Sequence, residues 1–321
     1  MTPTLAEPPL ALARAQWEAL EHAHAARADA LTERWRTSRA AGQKHPIEDF
    51  LFTYYSYKPG QLRRWHPGAG VELMDAAAEP RANWRFAAPG RAPGSITLDE
   101  PALRGARGPE FAAIRAILHG TASRPASFGC FGLHEWAMIY RQEEHRHAVP
   151  LRLGQRGTDA VVEASEIRCT HFDAYRFFTP EAAPRNLVRP TRETQAAMEQ
   201  PGCLHAGMDL YKWATKLGPL IPGALLLDAF ELARDIRWMD MRASPYDVRA
   251  WGAAAVAIET PEGKAEYARA QRGFTERGQA LRARLIAALD ALDERGRGLV
   301  GGERPVGAPA AAGADRTPVP A

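Results

Sequence analysis

Cysteine is scarce: three in 321 residues, with no C-x-x-C among them. An odd, unpaired set argues against a disulfide framework and fits a reducing cytoplasm. Surplus charge of either sign is small. Lys and Arg total 41 against 38 Asp and Glu, a net +3 that leaves room for a basic patch without announcing nucleic-acid binding. No apolar run reaches the ~18 residues a membrane helix needs. The opening MTPTLAEPPLALARA has no basic n-region and too short an apolar stretch, so no signal peptide is expected. G-x-S-x-G, a strand-borne G-x-G-x-x-G and G-x-x-x-x-G-K-[ST] are all missing, which disfavours nucleophile-elbow, dinucleotide and phosphate-loop chemistry. His134-Glu135 begins H-E-x-x-H, but Met138 stands where the second His belongs. A paired Glu-x-x-His of the di-iron kind is absent too, and there is no internal repeat.

What is present is ordinary globular material, 45% hydrophobic and 25% charged, enough for a sizeable core. Residues 129–147, GCFGLHEWAMIYRQEEHRH, stand out. Read as about five turns of helix, they put His134, Met138, Arg141 and His145 on one face. Leu133, Trp136, Ala137 and Tyr140 share another about 100° away. Such a helix can be buried on one side and face a cleft on the other. Three further stretches have a similar make-up: HPIEDFLFTYYSYKPGQLRRWHPG from His45, RCTHFDAYRFF from Arg168 and GCLHAGMDLYKWATK from Gly202. Convergence of the four on one polar pocket with aromatic walls is the working expectation.

In chain order, residues 1–9 read as a flexible tail. An alanine-rich helix runs from about Leu10 to Ala41, with His22 and His24 facing solvent. His45-Pro46 opens a helix whose Glu48 and Asp49 suit the positive end of the macrodipole. Val71–Met74 and Ser95–Leu98 are candidate strands, and Glu110–His119 a short helix. After the central helix come candidate strands at Pro150–Leu153, Ala160–Glu163 and Ile167–Thr170. Thr191 can cap a short helix to Gln200. The stretch after Gly202 buries Leu204, Leu210, Tyr211, Ala214 and Leu217. Its other face carries His205, Asp209, Lys212 and Lys216. Helices over Gly223–Met241 and Pro261–Leu292 complete a mainly α single domain of residues 10–295 with a small β element. Residues 296–321, rich in Gly, Pro and Ala, read as a disordered tail.

Three chemistries suit these residues. Each cysteine has a nearby histidine: Cys130 with His134, Cys169 with His171, Cys203 with His205. Cys, His and carboxylate are transition-metal ligand types, so zinc or iron in a small-molecule enzyme is one reading, with inert core cysteines and hydrogen-bonded histidines as its structural counterpart. A Cys–His nucleophile is a second, with no local motif behind it. The third is nucleobase chemistry. It needs aromatic faces, edge-reading polar groups and basic residues along a backbone. Trp65, Trp136, Tyr140, Tyr175 and Trp213 lie beside Arg63, Arg64, Arg141, Arg176 and Lys212. A cationic alkylated purine is attracted by aromatic faces and leaves readily, so one carboxylate could suffice. Asp173 and Asp209 lead as candidates, then Glu135, with His134, His171 and His205 beside them. The structural alternatives are a turn carboxylate for Asp173 and, for Asp209, an i,i+3 pair with Lys212 on a solvated face.

At HPIEDFLFTYYS, QLRRWHPG, FGCFGLHEWAMIYR, HFDAYRFFTP, EQPGCLHAGMDLYKWA and ARDIRWMDMRASPYD, the chain resembles a family of bacterial, largely actinobacterial, proteins labelled 3-methyladenine DNA glycosylase. The resemblance covers about His45 to Leu292. It implies DNA repair: excision of alkylated purines by hydrolysis of the N-glycosidic bond, with DNA as partner and no required metal. It carries no site residue over. Those named above rest on the residues alone, with Trp65, Trp136, Tyr140, Tyr175, Arg141, Arg176 and Lys212 as the substrate-binding set. Oligomeric state is not legible.

Overall fold

The computed structural model describes residues 10–145 and 148–300, the last three as backbone alone. Strand β1 (Leu10–Leu12) precedes the 27-residue α1 (Arg14–Ala40). Then come α2 (Glu48–Tyr54) and α3 (Pro59–Leu62), the latter with Pro59 in its first turn, where a missing N–H costs nothing. Strands β2 (Val71–Leu73), β3 (Ala87–Pro89) and β4 (Ile96–Leu98) join β1 in a sheet of order β1-β2-β4-β3. β1 pairs with β2 in parallel, Leu10 against Val71, and the other pairings are antiparallel. Helix α4 (Glu100–Ala122) starts at Asp99, whose carboxylate accepts from the Ala102 N–H. Four short helices follow: α5 (Leu133–Ala137), α6 (Gly154–Glu163), α7 (Phe172–Tyr175) and α8 (Gln195–Met198). The long helices α9 (Leu204–Leu217), α10 (Gly223–Ala243) and α11 (Pro261–Val300) close the chain. The fold is mainly α with one small sheet.

α9 and α10 form the centre. α11 packs on both and on α4, and α4 also packs on α8. The core contains Leu210, Leu217, Leu226, Phe230, Ala233 and Ile236, all nearly or fully buried. At about 1.5–3 kcal/mol per large side chain buried, this face contributes more to folding than helix propensity does. A second, smaller core of Trp17, Trp65, Leu73, Ala76 and Ile96 lies between α1 and the sheet. There Arg81 pairs with Glu21, its guanidinium 5.0 Å from the Trp17 ring and 5.3 Å from that of Trp65. Gly120 of α4 permits the approach of α8, since a Cβ there would lie 2.2 Å from the Ala196 carbonyl oxygen.

Several expected elements differ. The helix expected over 129–147 is five residues long. Gly132 before it is left-handed, and after it Arg141 (φ +56°) turns the chain so that its N–H donates to Asp159 of α6. Ala160–Glu163 is the end of helix α6: Thr158 and Val162, four apart, are its buried side, and the apolar run between them mimics a strand. Pro150–Leu153 and Ile167–Thr170 contribute only isolated bridges, Leu151 to Tyr246 and Ile167 to Asn186. Leu10–Leu12 belongs to the sheet instead of to α1. α4 begins ten residues before Glu110, running through Gly108-Pro109 because Leu103 and Phe111 are both core residues. α11 continues past Gly296 to Val300. His24 is buried, its Nε2 2.9 Å from the Leu62 carbonyl oxygen, and ties α1 to α3; His22 is exposed. Glu48 is buried too and accepts from Trp238 Nε1 at 2.8 Å. The expectations for residues 1–9, His147 and 301–321 lie outside the described residues.

Candidate metal centre

α9 presents His205, Asp209 and Lys212 at i, i+4 and i+7, a single stripe. The expectation of a solvated face is overturned at Asp209, which is 1% exposed: this stripe faces inward. α10 meets it with a stripe of its own, Leu226, Phe230, Ala233, Arg237 and Asp240, in which two charged residues continue an apolar face. α5 adds His134 and Glu135. His171 immediately precedes α7, which carries Asp173, and Glu199 immediately follows α8.

Two triads result. In the first, His134 Nε2 lies 3.0 Å from Asp240 Oδ1, and one ligand atom each from His134, His205 and Asp240 falls within 4.8 Å of the others. Among the described residues neither His134 Nε2 nor Asp240 Oδ1 has a hydrogen-bond partner apart from the other, although both residues are buried. In the second, His171 Nε2 is 3.4 Å from both Glu199 Oε1 and Asp209 Oδ2, and these three also group within 4.8 Å. The triads abut. The His205 ring centroid is 4.3 Å from that of His134 and 5.2 Å from that of His171.

Surrounding groups hold the carboxylates. Arg237 Nη1 donates to Glu135 Oε1 at 2.8 Å and to Asp240 Oδ2 at 3.3 Å. Lys212 Nζ donates to Asp173 at 2.8 Å and to Asp209 at 3.1 Å, and Tyr55 donates its hydroxyl to Asp209 at 3.3 Å. Gln195 donates to Glu199 at 2.7 Å, and the exposed Arg176 pairs with Asp173 at 3.0 Å. Burial would lower His134, but the charge and proximity of Asp240 outweigh it and hold the imidazole well above its usual range. Burial likewise opposes, and Glu199 and Asp209 reverse, the shift of His171, which ends raised. At His205 burial and the neighbouring charge of His134 outweigh the opposing pull of Asp240 and drive the imidazole well below its usual range. Burial, with the charges of Asp209 and Asp173, pushes the Tyr54 hydroxyl up to about 12. Among the described residues, five carboxylates, Glu135, Asp173, Glu199, Asp209 and Asp240, face three permanent cations hydrogen-bonded or paired to them, Lys212, Arg237 and Arg176. Such a set calls for further positive charge, from protons on imidazoles or from a metal ion.

A cleft of about 410 Å³ reaches this cluster. Phe50, Tyr54, Met138 and Phe177 form its walls, and Glu135, Asp173, His205 and Arg237 its polar lining. A smaller cavity of about 320 Å³ lies on the other side of His205 and His134, and all three cysteines line it. Burial raises the Cys169 and Cys203 thiols, so they behave as small protonated core groups. Among the described residues, neither ligand triad includes a cysteine.

The expected convergence holds for His134, His171, His205, Glu135, Asp173, Asp209 and Lys212, with Arg176 beside Asp173. Other expected residues lie elsewhere. Trp136 is core, its Nε1 donating to the Ala243 carbonyl. Tyr140 and Arg141 turn toward α6 and both donate to Glu163. Tyr175 packs on Phe178, and Trp65 sits in the second core. Sequence reasoning missed Asp240, Glu199 and Arg237. A signal existed for two of them, since Arg237 and Asp240 occupy positions that the apolar stripe of α10 reserves for core. Glu199 sits in an irregular segment and offered none.

No relative identifies the chain. No protein-family model matches it, and neither does any curated protein or solved structure.

Proposed function

We propose that the protein is a metal-dependent enzyme acting on a small molecule admitted through the Phe50–Tyr54 cleft. One observation carries this reading: the buried pair of His134 Nε2 and Asp240 Oδ1, 3.0 Å apart, with no other hydrogen-bond partner among the described residues and within ligand reach of His205. Two imidazoles and one carboxylate form a set suited to iron(II) or zinc, and the absence of thiolate disfavours softer ions. Arg237, itself held by Glu135, donates to Asp240 Oδ2, the kind of outer partner that orients a ligand. A divalent ion so placed polarises a substrate oxygen or nitrogen and lowers the pKa of a bound water. Of the three imidazoles, His205 alone lines the 410 Å³ cleft, so it is the ligand nearest to an entering substrate.

The experiment is metal analysis of the full chain purified without a histidine tag. Bound zinc or iron is expected, lost in His134→Ala and in Asp240→Asn. A metal-free wild-type protein that takes up neither ion on reconstitution would sink the reading. Among the described residues no helix is long and apolar enough to cross a membrane.

A DNA glycosylase for alkylated purines is the second reading. It rests on the resemblance and on one observation, that Asp173 lines a cleft walled by Phe50, Tyr54 and Phe177, the residue types a flipped base requires. Chelator-treated protein in excess over methylated duplex DNA should then release 3-methyladenine, and Asp173→Asn should abolish release. No release above a heat-killed control would remove this second reading.

A further inference from the structure

We propose that the second triad, His171, Glu199 and Asp209, binds a second divalent ion, making the centre dinuclear. The inference rests on the metal-dependent reading and extends it. All three residues are about 1% exposed. The decisive observation is at His171: among the described residues Nδ1 has no hydrogen-bond partner, and Nε2 has none beyond the two carboxylates it lies between. Its Nε2 stands equally far, 3.4 Å, from one oxygen of Glu199 and one of Asp209. A single N–H cannot satisfy both carboxylates, whereas an ion between the three atoms accepts a lone pair from each.

The remaining hydrogen bonds leave those lone pairs available. Glu199 Oε1 receives only the neutral amide of Gln195. Asp209 uses Oδ1 for Tyr55 and shares Oδ2 with Lys212, which is divided with Asp173. Arg282, also buried, spends its guanidinium on Gln279 and on the Ala206 carbonyl, so it does not pair with Glu199. One imidazole and two carboxylates form a harder donor set than the His134 triad, suited to iron(II) or manganese(II). With His171 and His205 in adjacent positions, 5.2 Å between ring centroids, the two ions would be neighbours, and the cleft opens at His205 of the first triad. Two-metal sites of this kind hold their ions about 3.5–4 Å apart and clamp one substrate from both sides.

The test uses the full untagged chain, stripped with a chelator and reconstituted anaerobically with manganese(II) or iron(II). About two ions per chain are expected, together with the magnetic-coupling signature of a manganese pair in electron paramagnetic resonance. Glu199→Gln, which keeps the size of the side chain, should reduce the content to about one and convert the spectrum to that of an isolated ion. His134→Ala should also leave about one, at the other triad. A wild-type content of one ion, unchanged in Glu199→Gln and showing no coupling, overturns the second site while the metal-dependent reading stands. A content of zero, with a parallel zinc reconstitution also empty, overturns both. The wild-type spectrum needs no variant, so a misfolded mutant cannot mask the answer.

Discussion

His66 shows how a single side chain sets a pH response away from the centre. Burial, reinforced by the charges of Arg64 and Arg81, lowers its pKa from about 6.5 to about 4. A depressed imidazole favours the neutral form in the folded chain. It therefore contributes stability that is present above pH 6.5 and lost as pH falls toward 4. The full contribution is at most ~3 kcal/mol. Urea unfolding of His66→Gln should show a flatter dependence of stability on pH than the wild type across that window. At Arg237 the expected effect is larger. Substituting Met keeps most of the volume but leaves Glu135 and Asp240 buried without their shared cation. Breaking a buried ion pair from one side typically costs about 3–5 kcal/mol, so metal-free Arg237→Met should unfold at clearly lower urea than metal-free wild type. Sequence alone placed the histidines and acids of α9 and α5 correctly as a group. It placed the aromatic partners poorly, because Trp136, Tyr140 and Trp65 can each satisfy one polar atom inside an apolar core, and nothing local says which they do.

Among the elements, α8 and the residue after it matter beyond their length. Gly120 of α4 lies so close to Ala196 that an added methyl group meets backbone instead of a movable side chain. Gly120→Ala should displace α8, destabilise the protein by about 1–3 kcal/mol and move Glu199 away from His171. Thermal unfolding would read the first effect and metal content the second; full stability with unchanged metal content would contradict the role given to this contact. The long helices α9, α10 and α11 were legible because their apolar residues repeat at helical spacing over many turns. The short elements were not. α5 and α6 are decided by left-handed residues and by a hydrogen bond between Arg141 and Asp159, which link segments that periodicity treats separately.

For the molecule as a whole, the excess of buried carboxylate couples metal binding to folding. An ion held by the native chain and not by the unfolded one adds about 2.7 kcal/mol at a hundredfold excess over its dissociation constant. Chelation should therefore lower the thermal midpoint, and adding back iron(II), manganese(II) or zinc should restore it in a concentration-dependent way. Unchanged melting on chelation of metal-loaded protein would contradict that coupling. The response should disappear in a His134→Ala, Glu199→Gln double variant, since each triad then lacks a ligand.

Helical character, the long elements and the grouping of His205, Asp209 and Lys212 on one face of α9 were determined by the sequence itself, because a repeat of 3.6 residues decides which side chains share a face. Which faces meet was decided only by tertiary structure. Asp240 reaches His134 across more than a hundred positions, and Glu199 reaches His171 from an irregular segment, through the packing of α10 on α9 and of α8 on α4. Local periodicity carries no information about such distant partners, and the two triads exist only where those helices pack.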